Sequence, residues 1–148
     1  MTPLGRMEAQ QPERPLGLGI LAVTSFGVAL WNIQSAVVLV LLMIGKLNMP
    51  GAPEIAAAYQ ALPVWFRGFL LVSAIVKATL LIAAGIAYFG RRRVGRVLGS
   101  AYGGLSIGES ALAVAVFGAV GREQLIGILF AAFTIVAVNT MYKPVLSR

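Results

Sequence analysis

Hydrophobic residues in this chain gather into four long runs, with polar residues confined mostly to the short stretches between them. The first run covers residues 16–44 and is interrupted only by Trp31-Asn32-Ile33-Gln34-Ser35. The others cover about 63–89, 94–120 and 124–142. A helix needs about 20 apolar residues, rising about 1.5 Å each, to cross a hydrocarbon core about 30 Å thick, and every run meets that length. A secretory signal has an apolar core of only about 7–15 residues before a small-residue cleavage site. The first run is far longer, so it is expected to be retained as a spanning helix.

Residues 1–15 form a polar tail with three prolines and no helical stripe. The loop 45–62 opens with Pro50, Gly51 and Pro53, and a short surface helix is predicted over 54–61 because Pro53 suits a first helical position. Gly90-Arg91-Arg92-Arg93 makes a basic elbow, Gly121-Arg122-Glu123 a tight turn, and residues 143–148 a C-terminal tail. With the N-terminus inside, Arg6, Arg14, Arg91, Arg92, Arg93, Arg96, Lys143 and Arg148 are cytoplasmic, against Lys46, Arg67 and Arg122 outside. That imbalance is the one the positive-inside rule favours. The expected fold is an all-α integral membrane protein, with residues 16–142 forming an up-down bundle of two helical hairpins and both termini cytoplasmic.

Composition sharpens this picture. Apolar residues make up 59% of the 148 and charged residues 11%, against about 45–50% and about 25% in a soluble domain. Lipid is the expected solvent. Cys, His and Asp are all absent, which removes thiolate and imidazole chemistry, disulfides, His-ligated haem and ordinary zinc sites. The five carboxylates are scattered glutamates, so no catalytic residue, metal site or cofactor is expected and the protein reads as non-enzymatic. The formal charge of +7 would suit nucleic acid only on the basic face of a soluble scaffold. Here the basic residues cluster at the ends of apolar runs, so nucleic acid is not an expected partner. The expected partners are membrane lipids and other membrane subunits or further copies of the chain, in a cell membrane of the bacterial inner-membrane kind.

Two ionisable side chains fall inside the runs, Lys77 and Glu109. Each is a functional-site hypothesis by default, because an intramembrane charge costs about 2.5–3.5 kcal/mol on insertion scales. Counted from Arg92 at about 1.5 Å per residue, Lys77 lies about 22 Å and Glu109 about 25 Å along neighbouring helices, which brings them level. A buried ion pair locking the second helix to the third is the expected arrangement; the alternative is a proton- or substrate-coupling site. Asn32 and Gln34 point to different faces of the first helix, and Gln34, roughly level with Glu109, is the one expected to join the pair. Asn139 on the fourth helix is expected to bridge helices.

Gly95, Gly99 and Gly103 recur every fourth residue along the third helix, continued by Ser106 and Ser110, and Gly104 and Gly108 form a second small-residue step. Such faces let helix backbones approach closely in lipid, either within the bundle or against a partner's helix. Enlarging Gly99 or Gly103 is expected to be disruptive, and enlarging Gly17 milder. Arg91, Arg92, Arg93 and Arg96 serve either as a topology determinant or as contacts to anionic headgroups, worth about 1 kcal/mol each. The stretch 83–98 that holds this elbow resembles one found in small bacterial four-helix membrane proteins, a likeness that covers one hairpin and implies no activity. Small multidrug-resistance transporters also have four helices and one membrane glutamate, but theirs lies on the first helix, where this chain has Gln34. The expected function is that of an accessory or structural subunit of a larger membrane assembly, docking through the glycine-rich faces. The alternative is a small oligomeric transporter or channel using Lys77 and Glu109.

Overall fold

The computed structural model describes residues 16–118 and 122–146. The tail 1–15 with Arg6 and Arg14, the turn residues 119–121, residues 147–148 with Arg148, and the side chains of Arg122 and Glu123 lie outside the described residues. Among the described residues all regular structure is helical: α1 (Leu16–Met43), α2 (Ala52–Gln60), α3 (Val64–Phe89), α4 (Arg93–Phe117) and α5 (Arg122–Val136), which runs on into a π-helical turn, Ala137–Met141. Four segments are long and apolar enough to cross a membrane, namely Leu16–Met43, Val64–Phe89, Arg93–Phe117 and Gln124–Met141. The chain is thus consistent with a multi-pass membrane protein.

Local chemistry sets the helix ends. After α1, the Gly45 N–H donates to the Leu42 carbonyl and the Lys46 N–H to the Leu41 carbonyl, at 3.3 and 2.9 Å, with Gly45 left-handed at φ 67°. This paired closure satisfies carbonyls that have no partner further along the helix. The same closure ends α3, with Arg91 N–H to Tyr88 O and Arg92 N–H to Ala87 O. There, however, Arg91 occupies the left-handed position at φ 52°, the only non-glycine with positive φ among the described residues. Gly118, at φ 72°, stops α4, earlier than the expected boundary near 120, because its left-handed backbone breaks the helix while the hydrophobic run continues. Gly51 caps α2, which starts two residues ahead of the expected 54 and takes Pro53 into its first turn, where a missing N–H does no harm.

The spanning helices pack in the order α1, α3, α4, α5. One core layer takes a residue from each: Ala29, Leu81, Tyr102 and Ala131. A second lies toward the N-terminus of α1 and joins Leu18, Leu21 and Ala22 to Ala84 and Tyr88, with Ala137, Val138 and Leu146. Alanines from each of α1, α3 and the last span sit in these layers and let backbones approach closely; Phe26 of α1 lies directly over Gly85 of α3. At the other end, Phe66 of α3 packs edge-on against Phe117 of α4, with ring centroids 5.4 Å apart. Leu146 is fully buried, in a turn whose Val145 and Leu146 N–H groups both donate to the Tyr142 carbonyl. The segment read as a tail over 143–148 is therefore folded into the core as far as Leu146. Large apolar side chains such as Leu30, Trp31, Val72, Ile86 and Leu129 remain exposed, as lipid-facing surfaces require.

Candidate functional site

Lys77 sits midway along α3, and Ser73 lies four residues before it, so both project from one face of the helix. Glu109 projects from α4 to meet them. The Lys77 Nζ lies 2.7 Å from the Glu109 Oε2, and the Ser73 hydroxyl donates to the same oxygen. The side chains of Lys77 and Glu109 are 15% and 19% exposed, and Ser73 is 3% exposed. An ammonium, a carboxylate and a hydroxyl thus satisfy one another across the α3–α4 interface, midway along both helices. The ammonium stabilises the carboxylate electrostatically, and the hydroxyl adds a charge-assisted hydrogen bond.

The two charged members of this cluster were legible in the sequence as a level pair. Ser73 was not; the signal that points to it is the four-residue spacing to Lys77, which becomes informative once α3 is known to present that face to α4. Gln34 does not join the cluster. It is exposed on α1, while Asn32 is the buried amide, its Nδ2 donating to the Val28 carbonyl of its own helix at 2.8 Å. The rotation of α1 decides this, since residues two apart on a helix face directions about 200° apart. Asn139 does bridge helices, donating to Ser100 Oγ of α4 at 2.8 Å as well as to the Ile135 carbonyl.

The glycine face of α4 is turned inward. A Cβ on Gly95 would sit 2.9 Å from the Tyr88 ring, one on Gly99 would collide with the Tyr88 hydroxyl, and one on Gly103 would collide with Ile135 and lie 3.0 Å from the Ala131 carbonyl. This face is covered by the chain's own α3 and α5 and offers no surface to a partner's helix. Ser106 continues it as a buried residue, and Ser110 is half-buried, donating to the Ser106 carbonyl at 2.9 Å. Gly104 and Gly108 have open space around them on the outer side of α4. Gly17 is not in open space: a side chain there would run into the hydroxyl of half-buried Tyr142. The Tyr88 hydroxyl, beside Gly99, and the hydroxyl of Thr134, whose methyl group faces Gly99, are buried without hydrogen-bond partners.

At the elbow, Arg92 and Arg93 are exposed while Arg91 and Arg96 are half-buried. All four flank the start of α4, with Arg92 as its N-cap. Comparison with protein-family models, with curated proteins and with solved structures finds no match for this chain.

Proposed function

We propose that this protein is a non-enzymatic integral membrane protein acting as a small accessory or structural subunit of a larger membrane assembly. The observation that carries the proposal is the closure of the Ser73–Lys77–Glu109 cluster on itself. Among the described residues the ammonium and the carboxylate that lie well inside the spans neutralise each other, and the adjacent hydroxyl is packed away rather than presented to a substrate. An ion pair of this kind holds two helices in one register, a better-attested role for buried charge than stability as such. Large apolar side chains cover much of the outer surface of the described spans, suited to lipid and to neighbouring spans. Because Gly95, Gly99 and Gly103 are occupied internally, docking falls to outward surfaces such as the side of α4 that carries Gly104 and Gly108.

The antiparallel contacts of Phe26 with Phe89 and of Phe66 with Phe117 support an up-down bundle. The distribution of Lys and Arg favours cytoplasmic termini, in a multi-pass protein of a bacterial inner membrane. A reporter fused after Arg148 is expected to read cytoplasmic and one inserted after Glu54 external. Isolation in mild detergent tests the functional reading: co-purification with a defined set of membrane proteins supports it, and a lone, stable monomer from the native membrane counts against it.

The residual exposure of Lys77 and Glu109 favours a second reading, a small oligomeric transporter or channel in which the pair opens to admit a cation or proton. Cation flux into liposomes that is abolished by Glu109→Gln would establish it. Flux at the level of empty liposomes would dispose of it.

A further inference from the structure

The side of the α1–α3 pair that faces away from the bundle carries a groove of about 390 Å³. Ile33 and Val37 of α1 and Ile75 and Ile82 of α3 form its walls, and Ala36 and Ala78 leave the space between them. Its one polar side chain, Thr79, donates its hydroxyl to the Ile75 carbonyl at 2.9 Å, so the lining makes no polar demand on an occupant. The volume falls in the lower part of the range of small-molecule pockets, about 300–1,000 Å³.

The groove is apolar along its length, but both walls lead to a cation at the same end. On α1, Leu41 lines the groove, and Lys46 is held just beyond it by the hydrogen bond from its N–H to the Leu41 carbonyl. On α3, Leu71 lines the groove, and Arg67 lies one turn earlier on the same face. Arg67 is fixed in place: its Nε donates to the Leu62 carbonyl at 3.0 Å and its Nη2 to the Gln60 carbonyl, and the guanidinium lies 5.7 Å from the centre of the Tyr59 ring. Two of its five N–H donors are used, leaving others for an anion. Among the described residues neither Lys46 nor Arg67 is ion-paired with a carboxylate.

We propose that this groove is a binding site for an anionic phospholipid of the leaflet on the α2 side, with an acyl chain between α1 and α3 and the phosphate at Lys46 and Arg67. The inference rests on the reading that the four helices span a membrane, but not on any functional role. The match is one of charge as well as shape, since a phospholipid is long, apolar and negatively charged at one end only. A second copy seated on the same groove by a two-fold axis along the membrane normal would bring two lysines and two arginines to one level, which like-charge repulsion disfavours. A partner's apolar helix would leave both cations without a counter-charge.

Native mass spectrometry of the detergent-purified full-length chain, with phosphatidylglycerol or phosphatidylcholine of identical acyl chains added, tests this. Phosphatidylglycerol adducts are expected to survive where phosphatidylcholine adducts are lost. Lys46→Gln is expected to weaken phosphatidylglycerol retention about fivefold, the worth of one cation at a membrane surface. Ala36→Phe, which fills the groove, is expected to abolish it at unchanged helicity by circular dichroism. Lys46→Gln lies on an exposed loop residue and keeps the test meaningful should the groove-filling variant fold poorly. Equal retention of the two lipids, retention unaffected by Lys46→Gln, or retention unaffected by a folded Ala36→Phe variant would each overturn the proposal. So would a dimer that Ala36→Phe converts to monomer, which would put a second copy in the groove.

Discussion

Replacing Lys77 with Met leaves the Glu109 carboxylate between α3 and α4 with the Ser73 hydroxyl but no counter-charge, and replacing Glu109 with Leu leaves an ammonium there with no carboxylate partner. At 2.7 Å the direct attraction between the two charges is about 6 kcal/mol for an effective dielectric of about 20. Most of that is offset by desolvation, which costs several kcal/mol per ion. The pair is therefore worth little compared with apolar packing, yet a lone member is expensive. Breaking a buried pair costs about 3–5 kcal/mol, and with 15% and 19% of the side chains still exposed the lower end of that range is expected for each single change. The Lys77→Met/Glu109→Leu double variant is expected to recover most of the loss. The Ser73 hydroxyl is then free to donate a hydrogen bond to a carbonyl of its own helix, as Ser25 and Thr79 already do with carbonyls four residues back. Reversible unfolding in mixed detergent micelles, followed by helicity, measures the four members of the cycle. Non-additivity of about 2 kcal/mol or more is the expected result. Additivity within about 0.5 kcal/mol, the behaviour of independent sites, would refute the reasoning and mean that the two side chains do not meet.

The two small-residue steps of α4 should separate cleanly: Gly103→Leu is expected to destabilise by several kcal/mol because the Ala131 backbone cannot yield, whereas Gly104→Leu, with open space around it, should be within about 0.5 kcal/mol of wild type in the same unfolding assay. Gly17→Leu should fall between them, since half-buried Tyr142 at the bundle's end has room to swing aside. Arg91→Gly is expected to stabilise the α3–α4 elbow by about 1 kcal/mol, because glycine adopts φ 52° without the Cβ penalty; loss of stability would show that the arginine side chain makes a contact outweighing its strain. Tyr88→Phe removes a buried hydroxyl that has no partner and should be neutral or stabilising by up to about 1 kcal/mol, with a marked loss indicating that the hydroxyl is satisfied in the membrane.

Much of this protein is determined by sequence alone, because lipid imposes a simple rule. A backbone with no water to bond must satisfy itself, so runs of twenty or more apolar residues become helices with little regard to their neighbours. The four spans, the short helix in the 45–62 loop and the basic elbow were legible for that reason. Lys77 and Glu109 were legible as a pair because charge is rare inside the runs and helix rise converts residue number into depth. What residue number does not carry is rotation. Each span is apolar on nearly all sides, so hydrophobic patterning gives no face to point at the core, and only packing against the other helices fixes which side turns inward. That is why Asn32 rather than Gln34 is buried, why Ser73 completes the ion pair, and why Gly95, Gly99 and Gly103 meet Tyr88 and Ile135 inside the bundle while Gly104 and Gly108 look out. It is also why Leu146, in a short terminal stretch with only Val145 as an apolar neighbour, gave no sign of its place in the core: it is buried in one cluster with Leu18, Tyr88 and Val138, and that cluster exists only once helices distant in sequence have come into contact.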